Sequence, residues 1–271
     1  MDTTIMRDSK VGDAWIAEMC RLNPVMRLTD PKTNQPIPGF TRLCPTRLSF
    51  TDAVFEPKPK FKADPNSKLG FGVTFLFPPY ADFTLLWEDY CRVAQSDFPN
   101  ETWNDYTKAF GQLNPLFGNG KEAIIKECGA KQQLGGYTPD LKYMQCGSNF
   151  APSVVDIRGN PITDKTKVYP GVWAIGVVNV YASGKGTPNR GPRFGLQTLM
   201  IVGDDTKLGG GGIDARTAYV GVNVTPPQAA PAAAFGVPQQ PQAPAGIGAY
   251  YPPQPAAPGA PPAVDPYAQF G

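Results

Sequence analysis

Histidine occurs at none of the 271 positions. Ser-His-Asp and Cys-His catalysis are thereby excluded, as are zinc and iron sites with imidazole ligands. The five cysteines (Cys20, Cys44, Cys91, Cys128 and Cys146) form no C-x-x-C pair. An odd, scattered set reads as reduced thiols in a cytoplasm, not as a disulfide framework or a zinc ribbon. Long apolar runs are missing too: none approaches the ~20 residues of a membrane span. The first fifteen residues lack the charged-then-apolar pattern of a secretion signal. The expectation is a soluble intracellular chain without membrane contact. Asp204-Asp205 and Glu88-Asp89 are adjacent acidic pairs, but no D-x-D or D-x-N-x-D spacing surrounds them. Neither a calcium nor a two-metal site is expected, no catalytic constellation is visible, and no cofactor is called for.

A further absence is local. Residues 225–271 contain no Lys or Arg, their only charge is Asp265, and they hold 13 of the 31 prolines. Pro, Ala, Gln and Gly in such proportion cannot bury enough apolar surface to offset the entropy of ordering. The segment is expected to be a disordered tail, an appendage more usual in a protein that coats one partner while recruiting others. The remaining body carries all 25 Lys and Arg against 22 Asp and Glu. That balance is too mild to announce a nucleic-acid partner without local clustering.

The body itself reads in parts. Residues 1–40 look like an extension with one short helix, Trp15, Ile16, Met19 and Leu22 forming its apolar stripe, and the ordered domain is expected to begin near Phe40. Strands are expected over Thr41–Phe55, over Leu69–Phe77 up to Pro78-Pro79, and over Gly171–Ala182 and Phe194–Val202, with a hairpin around Ser153–Ile162. Between these, helices are expected over Ala81–Ser96 and Lys121–Cys128, the latter stopped by Gly129, with a further helical turn near Trp103–Phe110. Strands, a helical insertion at about 81–130, more strands and a tail fit a β-rich α+β fold built on a barrel of about five strands.

One short motif invites a nucleotide-binding reading. SGKGT at Ser183–Thr187 has Gly and Lys in suggestive order, but Asn179 stands where a phosphate loop needs glycine. Pro188, Gly191 and Pro192 also block the helix whose N-terminus would hold the phosphate. A hairpin loop is the better reading. More telling is the interleaving of cations with rings: Arg47 near Phe50, Lys58, Lys60 and Lys62 around Phe61, and Trp173 and Tyr181 leading into Lys185, Arg190, Arg193 and Phe194. Single-stranded nucleic acid asks for this pairing, because cations track the backbone while exposed rings stack on bases. The alternating Phe71, Val73, Phe75 and Phe77 read as core instead.

Several segments in order resemble a family of bacteriophage single-stranded DNA-binding proteins built on an OB-fold. These are RLSFTDAVFEPK (Arg47–Lys58), FGVTFLFPP (Phe71–Pro79), VYPGVW (Val168–Trp173) with the strand to Tyr181, GLQTLMIV (Gly195–Val202) and LGGG (Leu208–Gly211). The resemblance spans roughly Thr41–Gly221. It implies an OB-fold-like domain at 41–224 that binds single-stranded DNA without sequence preference in phage replication or recombination. The first 40 residues have no counterpart in the family, and the tail lacks the acidic terminus common in such proteins. The candidate contacts are Arg47, Lys58, Lys60, Lys62, Lys185, Arg190 and Arg193 to phosphates, with Phe61, Trp173, Tyr181 and Phe194 for stacking. Replication or recombination proteins recruited by the tail, and further copies of the chain, are the other expected partners. A virion structural or assembly protein with a flexible Pro/Ala-rich tail is the alternative.

Overall fold

β-branched and aromatic residues crowd the segments around 69–77 and 173–203, and these form the longest strands of the chain. The computed structural model describes residues 6, 8–60, 67–105, 108–120 and 122–208. The chain divides into two units, Met1–Gly212 and Ile213–Gly271. The second, with the tail expected at 225–271, lies outside the described residues, as do Phe61 and Lys62.

In chain order the elements are α1 (Asp13–Leu22), β1 (Met26–Thr29), β2 (Pro36–Arg42), β3 (Thr46–Ser49), β4 (Lys58–Pro59), β5 (Leu69–Phe77) and α2 (Thr84–Asp97). There follow β6 (Trp103–Asn104), β7 (Ala109–Phe110), β8 (Phe117–Gly118), β9 (Ile125–Glu127), β10 (Lys142–Ser148), β11 (Ser153–Val155), β12 (Trp173–Ser183) and β13 (Gly191–Gly203). Among the described residues no helix is long and apolar enough to cross a membrane.

Five of these strands form a closed ring. β3 pairs with β5, β5 with β10, and β12 with both β3 and β13, all antiparallel. The ring closes where β10 runs parallel to β13 through one residue pair, Gly147 opposite Gly195. Numbered in chain order, the ring strands therefore run 1-2-3-5-4 and back to 1. Phe75, Leu76, Phe77, Leu48, Trp173, Val178 and Leu199 are buried in the core. Each such side chain contributes on the order of 1.5–3 kcal/mol relative to exposure.

α1 and the β1–β2 hairpin pack on this body ahead of the start expected near Phe40. α1 buries Ile16 and Cys20, and Trp15 meets Trp173 edge to face at 5.6 Å. β1 and β2 form a hairpin that extends the sheet beside β12. Asp89 of α2 locks it there: its buried carboxylate accepts the Thr41 hydroxyl at 2.8 Å and pairs with Arg27 at 2.5 Å.

The middle segment also departs from expectation. α2 forms as its apolar stripe predicts. The helix expected at Lys121–Cys128 is instead β9 followed by a 3-10 turn at Cys128–Lys131. β-branched Ile125 sits opposite Met144 on β10, and that pairing overrides the local Lys/Glu pattern. The helical turn expected near Trp103–Phe110 is a two-stranded ribbon, β6 with β7. The strand expected over Thr41–Phe55 is broken into the end of β2, then β3, then a 3-10 turn at Thr51–Ala53.

Candidate nucleic-acid interface

An open groove of about 680 Å³ runs across β5, β10, β12 and β13 on the outside of the ring. Its floor is bare backbone. A Cβ on Gly72 would lie 3.0 Å from the Cys146 carbonyl, and one on Gly195 would lie 2.5 Å from Asn179 Oδ1. Glycine at these positions lets a ligand approach the strands closely. Aromatic rings stand at the edges: Phe50 is 43% exposed, Tyr181 44% and Phe150 81%. Phe71, at the near end of β5, also lines the groove, whereas Phe75 and Phe77 of the same stripe are core.

The cationic wall comes from the segment between β3 and β5. β4 pairs with the start of β5, which fixes Lys58 and Lys60 beside the groove. Lys60 Nζ donates to Asn149 Oδ1, a neutral partner, at 2.7 Å. Lys58 lies 3.9 Å from Glu56, and both are exposed.

Phe50 follows β3 directly and adopts φ 51°, ψ 58°. That left-handed conformation is strained for an aromatic residue and is held only by its surroundings. Lys131 Nζ lies 5.4 Å from the Phe50 ring centroid and also covers Tyr143 at 4.4 Å and Tyr137 at 5.7 Å. Burial, with Lys126 nearby, moves the Lys131 ammonium below its ordinary pKa. Beyond Phe50 lies a second cleft of about 960 Å³, lined by Phe55, Tyr137, Val168 and Leu208. Phe50 and Asp52 line both spaces.

The sequence candidates fall into distinct groups. Lys58, Lys60 and Tyr181 line the groove. Arg47, Trp173 and Phe194 do not, and the contact roles expected of them are corrected: all three are buried. The Arg47 guanidinium donates to the carbonyls of Asp8, Gly171 and Thr206, while Trp173 Nε1 donates to Asp205. Phe194 belongs to the hydrophobic core.

Lys185, Arg190 and Arg193 are not part of the groove lining, although Arg193 stands directly opposite Tyr181 across the β12–β13 pairing. Lys185 pairs with Asp97 at 2.6 Å, and Arg190 pairs with Glu101. Both cations are thus neutralised by the end of α2 and the residues just beyond it. Arg193 donates to Asn189 Oδ1 at 3.1 Å, and burial holds its pKa below the ordinary arginine value. The SGKGT stretch is the expected turn, closed by Thr187 N–H donating to the Gly184 carbonyl.

Sequence reasoning noted Phe50 without naming it as a contact and missed Phe150, Gln145, Asn179 and Gln197, which all line the groove. Phe150 had a usable signal, an aromatic ring in the polar run Gly147-Ser148-Asn149. The amides had none, because only the ring's closure brings β12 and β13 against β10.

A sequence profile of the family described as Enterobacter phage Enc34, ssDNA-binding protein, matches residues 42–224, and the chain belongs to that family. No curated protein matches the sequence. Among solved structures, the single-stranded DNA-binding protein from bacteriophage Enc34 is similar at 14% identity and TM-score 0.44, over 72% of this chain and 98% of that one. Its complex with single-stranded DNA gives 14% identity and TM-score 0.48, over 68% and 98% of the two chains. A single-stranded DNA-binding protein encoded by bacteriophage T7 gives 10% identity and TM-score 0.40, over 60% and 91%.

Proposed function

We propose that this chain binds single-stranded DNA along the groove, without base-sequence preference and without catalysis, in phage DNA replication or recombination. The observation that carries the reading is the groove itself: exposed Phe150, Tyr181 and Phe50 around a glycine floor, with Lys58 and Lys60 on one wall. Bases stacked on such rings gain on the order of 1–3 kcal/mol each, and the cations follow the phosphates. Family membership supports the same reading.

The ring order 1-2-3-5-4 with its parallel closure supports an OB-fold, and the groove crosses ring strands 2 and 3 beside the segment joining strands 1 and 2. OB-folds bind oligonucleotides on that face. The binding domain is read as residues 41–224, with about 81–130 as an insertion. The segment 225–271 is assigned partner recruitment on its composition, and the working location is the cytoplasm of the host cell.

The test is a titration of labelled oligo-dT of ~30 nucleotides, and of a matched duplex, at two salt concentrations. Binding of the single strand alone, weakening as salt rises, is expected. A flat salt response, or equal affinity for duplex, overturns the reading.

A further inference from the structure

Within the groove, Asn179 of β12 and Gln197 of β13 form a hydrogen-bonded amide pair: Gln197 Nε2 donates to Asn179 Oδ1 at 2.7 Å. Gln197 owes its placement to a β-bulge. Val177 pairs with Thr198 and Val178 with Leu196, so Gln197 has no partner of its own on β12. Bulges of this kind re-aim a side chain. Tyr181 stands next to the pair. A Cβ built on Gly195 would lie 2.5 Å from Asn179 Oδ1 and 3.3 Å from Tyr181 Cε1, so amide and ring edge meet above one residue of bare backbone.

A carboxamide has an accepting end and a donating end. The internal bond uses one end of each side chain, which leaves the Asn179 N–H groups and the Gln197 carbonyl free to face a ligand. Turning both amides over together keeps the internal bond and exchanges the outward ends. The two arrangements place heavy atoms alike. Every DNA base carries a donor and an acceptor side by side on its pairing edge: N6–H and N1 in adenine, N4–H and N3 in cytosine, O6 and N1–H in guanine, O4 and N3–H in thymine. One arrangement or the other complements each of them.

We propose that Asn179 and Gln197 act as a reversible base-reading pair, hydrogen-bonding the edge of a base stacked on Tyr181, whichever base it is. This rests on the single-stranded DNA reading and deepens it: the groove makes polar contacts to bases while staying tolerant of sequence, because the reader turns over instead of selecting.

The test fixes the pair in one polarity. In Asn179→Asp the carboxylate only accepts, so it holds the Gln197 N–H inward and both outward ends become acceptors. Gln197→Glu does the same from the other side. Affinities for oligo-dC and oligo-dT are measured on the same sample of each protein, so that their ratio is independent of the folded fraction and of general charge repulsion. The wild-type protein is expected to bind the two within about threefold, and either variant to shift the ratio by ~5-fold or more towards oligo-dC, whose N4 amino group offers two N–H donors to the paired acceptors where thymine has a single N3–H. An unchanged ratio in both variants, with the wild-type protein still binding, overturns the proposal and leaves an amide pair that merely ties β12 to β13. Absence of wild-type binding overturns the single-stranded DNA reading itself, and this proposal with it.

Discussion

Arg47 Nε stands 3.2 Å from Asp205 Oδ2, and both side chains are fully buried. Asp205 also accepts the Ser9 hydroxyl and the Lys10 amide, each at 2.7 Å. Together with the Arg47 bonds to Asp8 and Thr206, this pair ties both ends of the described body to the core beside Trp173. Arg47→Met or Asp205→Asn leaves a buried group unmatched, and a loss of ~3–5 kcal/mol is expected. The double variant Arg47→Met, Asp205→Asn should cost less than the two single changes added. Urea unfolding measures all three. Oligonucleotide affinity of the folded variants should be unchanged, since neither residue lines the groove.

Acid should loosen the same junction. Burial works against the Asp205 charge, but Ser9, the Lys10 and Thr206 amides and Arg47 prevail and hold the carboxyl below its ordinary pKa. Arg190 lowers Glu101 in the same way. A depressed carboxyl contributes stability that is complete above the unfolded-state value, ~3.9 for Asp, and lost as pH falls through the folded value. Stability should hold at mildly acidic pH and fall steeply below about pH 4, and Asp205→Asn should flatten that fall. Unfolding midpoints across pH check this; an equally steep fall in the variant contradicts it.

Stacking predicts a graded series. Tyr181→Ala and Phe150→Ala should each weaken oligo-dT binding by ~1–3 kcal/mol, and Tyr181→Phe should be close to neutral because the ring remains. Anisotropy titration reads the series. Full binding by both alanine variants would remove these rings from the interface.

The cations divide by their partners. Lys60 faces the groove on a neutral amide, whereas Lys185 already has Asp97. Lys60→Ala should flatten the dependence of log affinity on log salt by ~0.7 for a lost phosphate contact. Lys185→Ala should leave that slope almost unchanged. The opposite pattern would move the path of the strand to the loop at 184–190.

These contrasts mark where the sequence was informative. β5, β12 and β13 were legible because their β-branched and aromatic residues run densely between turn signals, and Tyr181 was legible as a ring beside a basic loop. The same reasoning chose Trp173 and Phe194 and failed. Neighbourhood in sequence does not say which way a long strand faces, and β12 leaves the core only at its far end. Arg47 failed differently: its partner Asp205 is 158 positions away, and nothing local announces a buried ion pair. β9 was missed because its pairing with β10 is a contact at a distance, set against a local Lys/Glu pattern that favours helix. Asn179 and Gln197 were invisible because a bulge in the β12–β13 pairing puts them together.

The parallel closure of the ring has a mechanical consequence. The ladder between β10 and β13 consists of the single pair Gly147 and Gly195, two residues without side chains to interlock. This one-pair seam lies in the floor of the groove. A polymer laid along that floor would bridge both lips of the seam, so an occupied groove and a closed ring would favour each other.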